Sequence, residues 1–190
     1  YQTMINDYRA GHNNNAINKN NPYYNYYQYL SHRTQSNYTA SDILNYLKSR
    51  GFYSLMTSYP AGSGQSLLYG EQTSFVQYQN EFGANLGLVL GLAMNESASG
   101  TSSIAFHGKN LFGHAAFDSS PGASATSYLS VAQSIYAHTK FYISEGYLDP
   151  CDGRSFAGSY DDATCQKGRY NGAHMGDKAS GLNVKYASDP

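Results

Sequence analysis

Apolar residues are densest between Leu86 and Met94, where Leu86, Leu88, Val89, Leu90, Leu92, Ala93 and Met94 surround nearly every side of a helical wheel. Such a pattern predicts a helix buried in the centre of a core, opening after Asn85 and delivering Glu96 at its end. Ile43, Leu44 and Leu47 predict an earlier amphipathic helix. Thr39 can cap its first turn by accepting from the Asp42 amide, while the Asp42 carboxylate sits in the positive first turn; Gly51, after Arg50, is its stop. A second helix is expected from about Thr73 to Phe82, ending at Gly83. Beyond Gly100 the pattern changes to two short apolar segments, Ser103 to Phe106 and Leu111 to Phe117, separated by His107-Gly108-Lys109-Asn110, which predicts a β-hairpin. Pro121 and Gly122 end it. A long helix is then expected from about Ala125 to Glu145, with Tyr128, Ala132, Ile135, Tyr136, Thr139 and Tyr142 on one side. The sum is an α+β fold, mainly helical, with a small β element beside the helix that carries Glu96. No internal repeat at solenoid periods is present.

Residues 1–35 differ in kind: Asn13-Asn14-Asn15 and Pro22-Tyr23-Tyr24-Asn25-Tyr26-Tyr27 carry little helical periodicity. They read as an extended arm or boundary segment, leaving residues 36–190 as one domain, a size that a single core accommodates. The chain has 190 residues, of which 13% are charged, and a formal net charge of −1. No basic stripe could neutralise a phosphate backbone, so nucleic acid is not an expected partner. No apolar run reaches the roughly 20 residues of a membrane span. Twenty Tyr and no Trp, with many Asn, Ser and Gly, make a polar, uncharged surface that suits carbohydrate. The chain begins at Tyr1 without Met or an apolar leader, which reads as a fragment whose export signal lies upstream. Cys151 and Cys165, close together among Gly, Asp and Ser, predict a small disulfide-closed loop in an oxidising compartment. His107, His114 and His174 are unclustered and no HExxH occurs, so neither a metal nor a cofactor is expected.

The chemistry centres on Glu96, the one acidic residue between Glu81 and Asp118. Glycoside hydrolysis needs a carboxyl that stays protonated near neutral pH, and burial against apolar neighbours raises a Glu pKa to about 6 or 7. The end of the most apolar helix is such a setting, and Ser97, Ser99 and Gly100 open a small-residue turn that leaves room for a sugar. A Glu chosen at random at a helix end is more often a solvated surface residue; here its position favours catalysis.

Three ordered blocks carry a family resemblance: Asn95-Glu96-Ser97-Ala98-Ser99-Gly100-Thr101-Ser102, then Lys109-Asn110-Leu111-Phe112-Gly113, and Tyr186-Ala187-Ser188-Asp189-Pro190 at the end. Ser36-Asn37-Tyr38-Thr39-Ala40 and Ser66-Leu67-Leu68-Tyr69-Gly70 agree with them. Across about residues 28–190 the chain resembles the peptidoglycan glucosaminidases of glycoside hydrolase family 73, and is particularly similar to those of the pneumococcal, daughter-cell-separating type. The resemblance implies a lysozyme-like fold, Glu96 as proton donor, and cleavage of the β-1,4 bond between GlcNAc and MurNAc. It further implies Tyr186 in the wall facing the acid, and Asn110, Phe112, Gly113 and His114 in the substrate-binding region. The implied partner is the peptidoglycan glycan strand, acted on outside the cell or in the wall by a monomeric domain of a larger protein.

Asp118 is the candidate second carboxylate, because it lies in the expected β element; it reads equally as the cap of the turn Ser119-Ser120-Pro121. Asp149, Asp152, Asp161 and Asp162 fall on the loop that holds both Cys and are weaker candidates. Other readings remain open at this point: a muramidase or lytic transglycosylase on the same strand, a peptidase or amidase with Cys151 or Cys165 as nucleophile and His174 as base, or a wall-binding module without activity.

Overall fold

The computed structural model describes residues 6, 7, 9–12, 32–115 and 125–147. Asp118, Cys151, Cys165, His174 and Tyr186 therefore lie outside the described residues.

Helix α1 is Ala40–Ser49. Thr39 and Asp42 close a reciprocal capping box in which the Asp42 amide donates to Thr39 Oγ1 at 3.2 Å and the Thr39 amide to Asp42 Oδ2 at 2.8 Å. Ile43 and Leu47 are its buried face, and Gly51 takes a φ of 89° just past its end. Helix α2, Gln72–Phe82, stops at Gly83 in the left-handed region, φ 67°. Helix α3, Leu86–Glu96, is capped by Asn85, whose Oδ1 accepts from the Leu88 amide at 3.1 Å. These three follow the expected boundaries closely because each end is set by residues within four positions of it.

Helix α2 is the hub, packing against α1, α3 and the helical segment that follows residue 130. Its buried Gln79 ties three pieces together: Oε1 accepts from the amides of Ser36 (3.0 Å) and Leu86 (2.8 Å), and Nε2 donates to Ser36 O (3.1 Å). The core around it holds Ile43, Leu47, Leu67, Leu68, Phe75, Leu86, Val89, Leu90, Ala93, Leu111, Phe112, Ile135 and Ile143. Helix α3 contributes Leu86, Val89, Leu90 and Ala93 to that core but is not enclosed on all sides; Gly91, Asn95 and Glu96 are exposed.

The β structure differs from expectation in place and kind. Among the described residues it is a parallel pair, β1 Ser54–Leu55 with β2 Gln65–Ser66, lying between α1 and α2. The expected hairpin strand at 103–106 is instead helix α4, Ser103–Gly108. Ser102 Oγ accepts from the Ala105 amide at 3.2 Å, an N-cap that the short apolar run Ile104-Ala105-Phe106 did not reveal, since periodicity cannot be read over so few residues. Helix α5, Val131–Ala137, starts six residues later than expected, where Ser130 caps the Gln133 amide at 3.1 Å. Residues 125–130 are held out of it, because Thr126 donates to His114 O (2.9 Å) and Tyr128 to Gly108 O (2.8 Å). The helix continues as a π-helical stretch, His138–Tyr147. No helix among the described residues is long and apolar enough to cross a membrane.

Candidate active site

Glu96 is the last residue of α3 and its carboxyl is exposed, with the Asn95 side-chain amide 3.4 Å from Oε1. This corrects the expectation of an acid already buried against apolar neighbours: the core face of α3 is formed by residues 86, 89, 90 and 93, and at the helix end Ser97 turns inward in place of Glu96.

Ser97 explains the block that follows. It is fully buried, its hydroxyl donates to Ala93 O and accepts from the Gly100 amide at 2.7 Å, and its carbonyl accepts from the amides of Gly100, Thr101 and Ser102 at 3.0–3.1 Å. Three successive residues, Ala98, Ser99 and Gly100, then take positive φ of 50°, 58° and 78°. Such a run is rare for residues with a Cβ and persists only where the surroundings impose it. Here they do. Ser66 Oγ donates to Ser99 O (2.6 Å), the Leu67 amide donates to Gly100 O (3.0 Å), and a Cβ on Gly100 would stand 2.6 Å from Ser66 Oγ and 3.0 Å from the Leu68 nitrogen. The spacing Glu-Ser-x-x-Gly thus encodes an internal clamp at Ser97 and a close approach at Gly100, which together fix the backbone beside the carboxyl. The sequence marks the Ser66 block but not this contact, since its partner lies 33 positions away.

The second block has a structural role of the same kind. Asn110 is 1% exposed; its Oδ1 accepts from the amides of Phe112 (3.2 Å) and His114 (3.1 Å), and its Nδ2 donates to His114 O and Thr126 O, both at 3.0 Å. Phe112 and His114 are also buried, and Gly113 takes the φ of 62° that the turn requires. His114 Nδ1 lies 2.6 Å from the Tyr128 hydroxyl and Nε2 lies 3.0 Å from His138 Nδ1. Phe112 stacks on His138 at 3.7 Å between ring centroids, and His114 stacks on Tyr142 at 3.9 Å. Burial pushes His114 down to about 3 and His138 well below the usual imidazole range, the latter aided by the neighbouring His114 and His32. Burial, and secondarily Tyr142, pushes Tyr128 up to about 12. These shifts favour the neutral form of both imidazoles, in which one ring donates and the other accepts across the Nε2–Nδ1 contact. Asn110, Phe112 and His114 thus face the interior and shape the segment after α4. No group of three His, Cys, Asp or Glu among the described residues could hold a metal ion.

A sequence-family profile described as Glucosaminidase, mannosyl-glycoprotein endo-beta-N-acetylglucosaminidase, matches residues 72–190, from the start of α2 through the Glu96 and Asn110 blocks. The chain belongs to this glucosaminidase family. Two inferred endo-beta-N-acetylglucosaminidases of Streptococcus pneumoniae, from strains TIGR4 and R6, are each 34% identical over 125 residues, or 66% of this chain. The chain spans only 16% and 15% of those proteins' lengths. Among solved structures, autolysin E of S. aureus superimposes with a TM-score of 0.51 at 19% identity, covering 85% of this chain and 64% of that one. A catalytic mutant of the same autolysin in complex with the disaccharide NAG-NAM gives the same values. At this identity the structural likeness establishes the fold: a glucosaminidase fold of the autolysin type, helical with a small sheet, as the sequence resemblance implied. Membership also places the chain among the glycoside hydrolases, in agreement with the enzyme class expected from the Glu96 block.

Proposed function

We propose that this glucosaminidase domain cleaves the β-1,4 bond between GlcNAc and MurNAc in peptidoglycan strands, with Glu96 donating a proton to the leaving oxygen. The observation that carries the reading is the placement of Glu96: a carboxyl open to solvent at the end of a helix anchored in the core, followed by a turn held rigid by Ser97, Ser66 and Gly100. A preorganised backbone beside an accessible carboxyl is what positioning a glycosidic oxygen requires. Because the carboxyl is exposed, the bound strand itself excludes water from it. The disaccharide bound by the related S. aureus autolysin is made of the sugars that flank this linkage and supports the substrate assignment.

Tyr186 and Asp118 complete the proposal as groups of the facing wall, Tyr186 orienting the sugar or a water and Asp118 acting as the second carboxylate. Residues 36–190 form the catalytic unit within a longer secreted protein that acts on the cell wall, and Cys151 and Cys165 close a loop at the cleft rim.

The test is Glu96→Gln, nearly isosteric but unable to donate the proton. General acid assistance is worth about 10²–10⁴-fold, so dye release from purified walls should fall by at least that factor with the fold intact by circular dichroism. A variant keeping a tenth of wild-type activity would remove Glu96 from the role. Borohydride-reduced digests analysed by mass spectrometry should end in reduced GlcNAc; reduced MurNAc or 1,6-anhydro-MurNAc ends would reassign the bond.

A further inference from the structure

Helices α1 and α3 both pack on α2 and leave a channel between them, closed at one side by residues 34–38. The channel has a volume of about 910 Å³, within the range of about 300–1,000 Å³ common for small-molecule sites. Two features of the sequence keep it open. Gly87 and Gly91 occupy the channel face of α3 one turn apart, and a Cβ at Gly91 would meet no atom within 4 Å. A Cβ at Gly87 would lie 3.4 Å from the Tyr38 ring, so this glycine lets that ring lie across the helix.

At about 100° per residue, Gly87, Gly91 and Met94 fall within about 60° of one another on α3, and Glu96 lies about 140° or more round the helix from each. The channel is thus on a different face from the candidate acid.

Its wall is rigid. Arg33 donates to Ser144 Oγ and Ser144 O, both at 2.9 Å, Gln35 donates to Asn80 Oδ1 at 2.8 Å, and Ser36 is held by Gln79. Its lining is largely apolar, with two tyrosines and one carboxylate. Tyr38 and Tyr46 remain 55% and 46% exposed there, no Lys or Arg is among the described lining residues, and the one carboxylate among them, Asp42, accepts from both the amide and the hydroxyl of Thr39.

We infer that this channel is a second saccharide site, taking an uncharged segment of β-linked N-acetylhexosamine on the face of α3 away from Glu96. Tyr rings stack on the apolar faces of pyranose rings, and neighbouring amides and hydroxyls bond acetamido and hydroxyl groups. An anionic polymer would find no cation, and a peptide stem would bring its carboxylates against Asp42. The choice of sugar rests on the glycan-strand reading given above; the site itself rests on the channel.

The test uses the 190-residue chain as Glu96→Gln, so that no saccharide is consumed, with tetra-N-acetylchitotetraose as probe and amide NMR as readout. The backbone amides of Gly87, Gly91 and Tyr46 should shift saturably. Adding Gly91→Leu, which fills the channel at an exposed helical position where Leu is the better helix former, should weaken that binding tenfold or more while the spectrum stays folded. Tyr46→Ala, at a half-exposed position, should do the same. Amides that stay unmoved at millimolar saccharide, shifts that persist in Gly91→Leu, or shifts produced by the free stem tetrapeptide and not by the sugar would each overturn the inference. Catalytic failure reads out separately, as absence of new reducing ends from walls treated with wild-type protein.

Discussion

The buried histidine pair should make the domain acid-sensitive in a pH range where its carboxylates still hold their charge. His114 is 4% exposed, with Phe112, His138, Tyr128 and Tyr142 packed around it, and its folded pKa of about 3 compares with 6.5 for an unfolded histidine. A depressed imidazole pKa means that the unfolded chain takes up the proton first. The stabilising contribution is fully present above pH 6.5 and is lost as pH falls from 6.5 towards 3. Linkage puts the loss from His114 alone at roughly 2 kcal/mol at pH 5 and roughly 3 kcal/mol at pH 4, relative to pH 8. His138 shifts in the same direction, as does His32, lowered to about 4 by burial. Urea unfolding followed by tyrosine fluorescence should therefore give a stability that falls by at least about 2 kcal/mol between pH 8 and pH 5, with one or more protons taken up on unfolding. Asp42, the other group with a resolved shift that matters here, is lowered by its bonds to Thr39 and acts only below about pH 4, outside this window. Stability flat from pH 8 to pH 5, or an NMR titration of the His114 imidazole near 6.5 in the folded protein, would refute the reasoning.

Asn110→Ala removes four hydrogen bonds, three of them buried, and should cost about 3 kcal/mol or more, seen as a lowered urea midpoint; a large rise in KM with unchanged stability would instead make Asn110 a substrate contact. Gly100→Ala should lose both stability and wall lysis, because its Cβ would collide with Ser66 Oγ at 2.6 Å and the φ of 78° disfavours any side chain, and wild-type melting and activity together would contradict the close approach. An intact mass two hydrogens below that of the reduced chain, and cysteines that resist alkylation until reductant is added, are expected for Cys151 and Cys165.

Much of the helical framework was legible in the sequence. The Thr39–Asp42 box, the Asn85 cap and the stop at Gly83 are local chemistry, each decided within a few residues, and the apolar periodicity of α1 to α3 needs no partner to be seen. The family was legible too, because the Glu96 and Asn110 blocks are contiguous strings. What those strings are for depended on the tertiary structure. The turn after Glu96 is tied to Ser66 and Leu67 through the carbonyls of Ser99 and Gly100, and the Asn110 block faces inward onto Thr126 and His138, partners up to 33 residues distant that no local pattern specifies. The exposure of Glu96 was decided in the same way. An apolar helix does not say which of its sides the rest of the chain will cover, and here the packing of α3 on α2 left the carboxyl open at one end and a largely apolar channel on another face. Burial is a property of what arrives from elsewhere in the chain, which is why composition and periodicity singled out Glu96 as the candidate while only the fold set its surroundings.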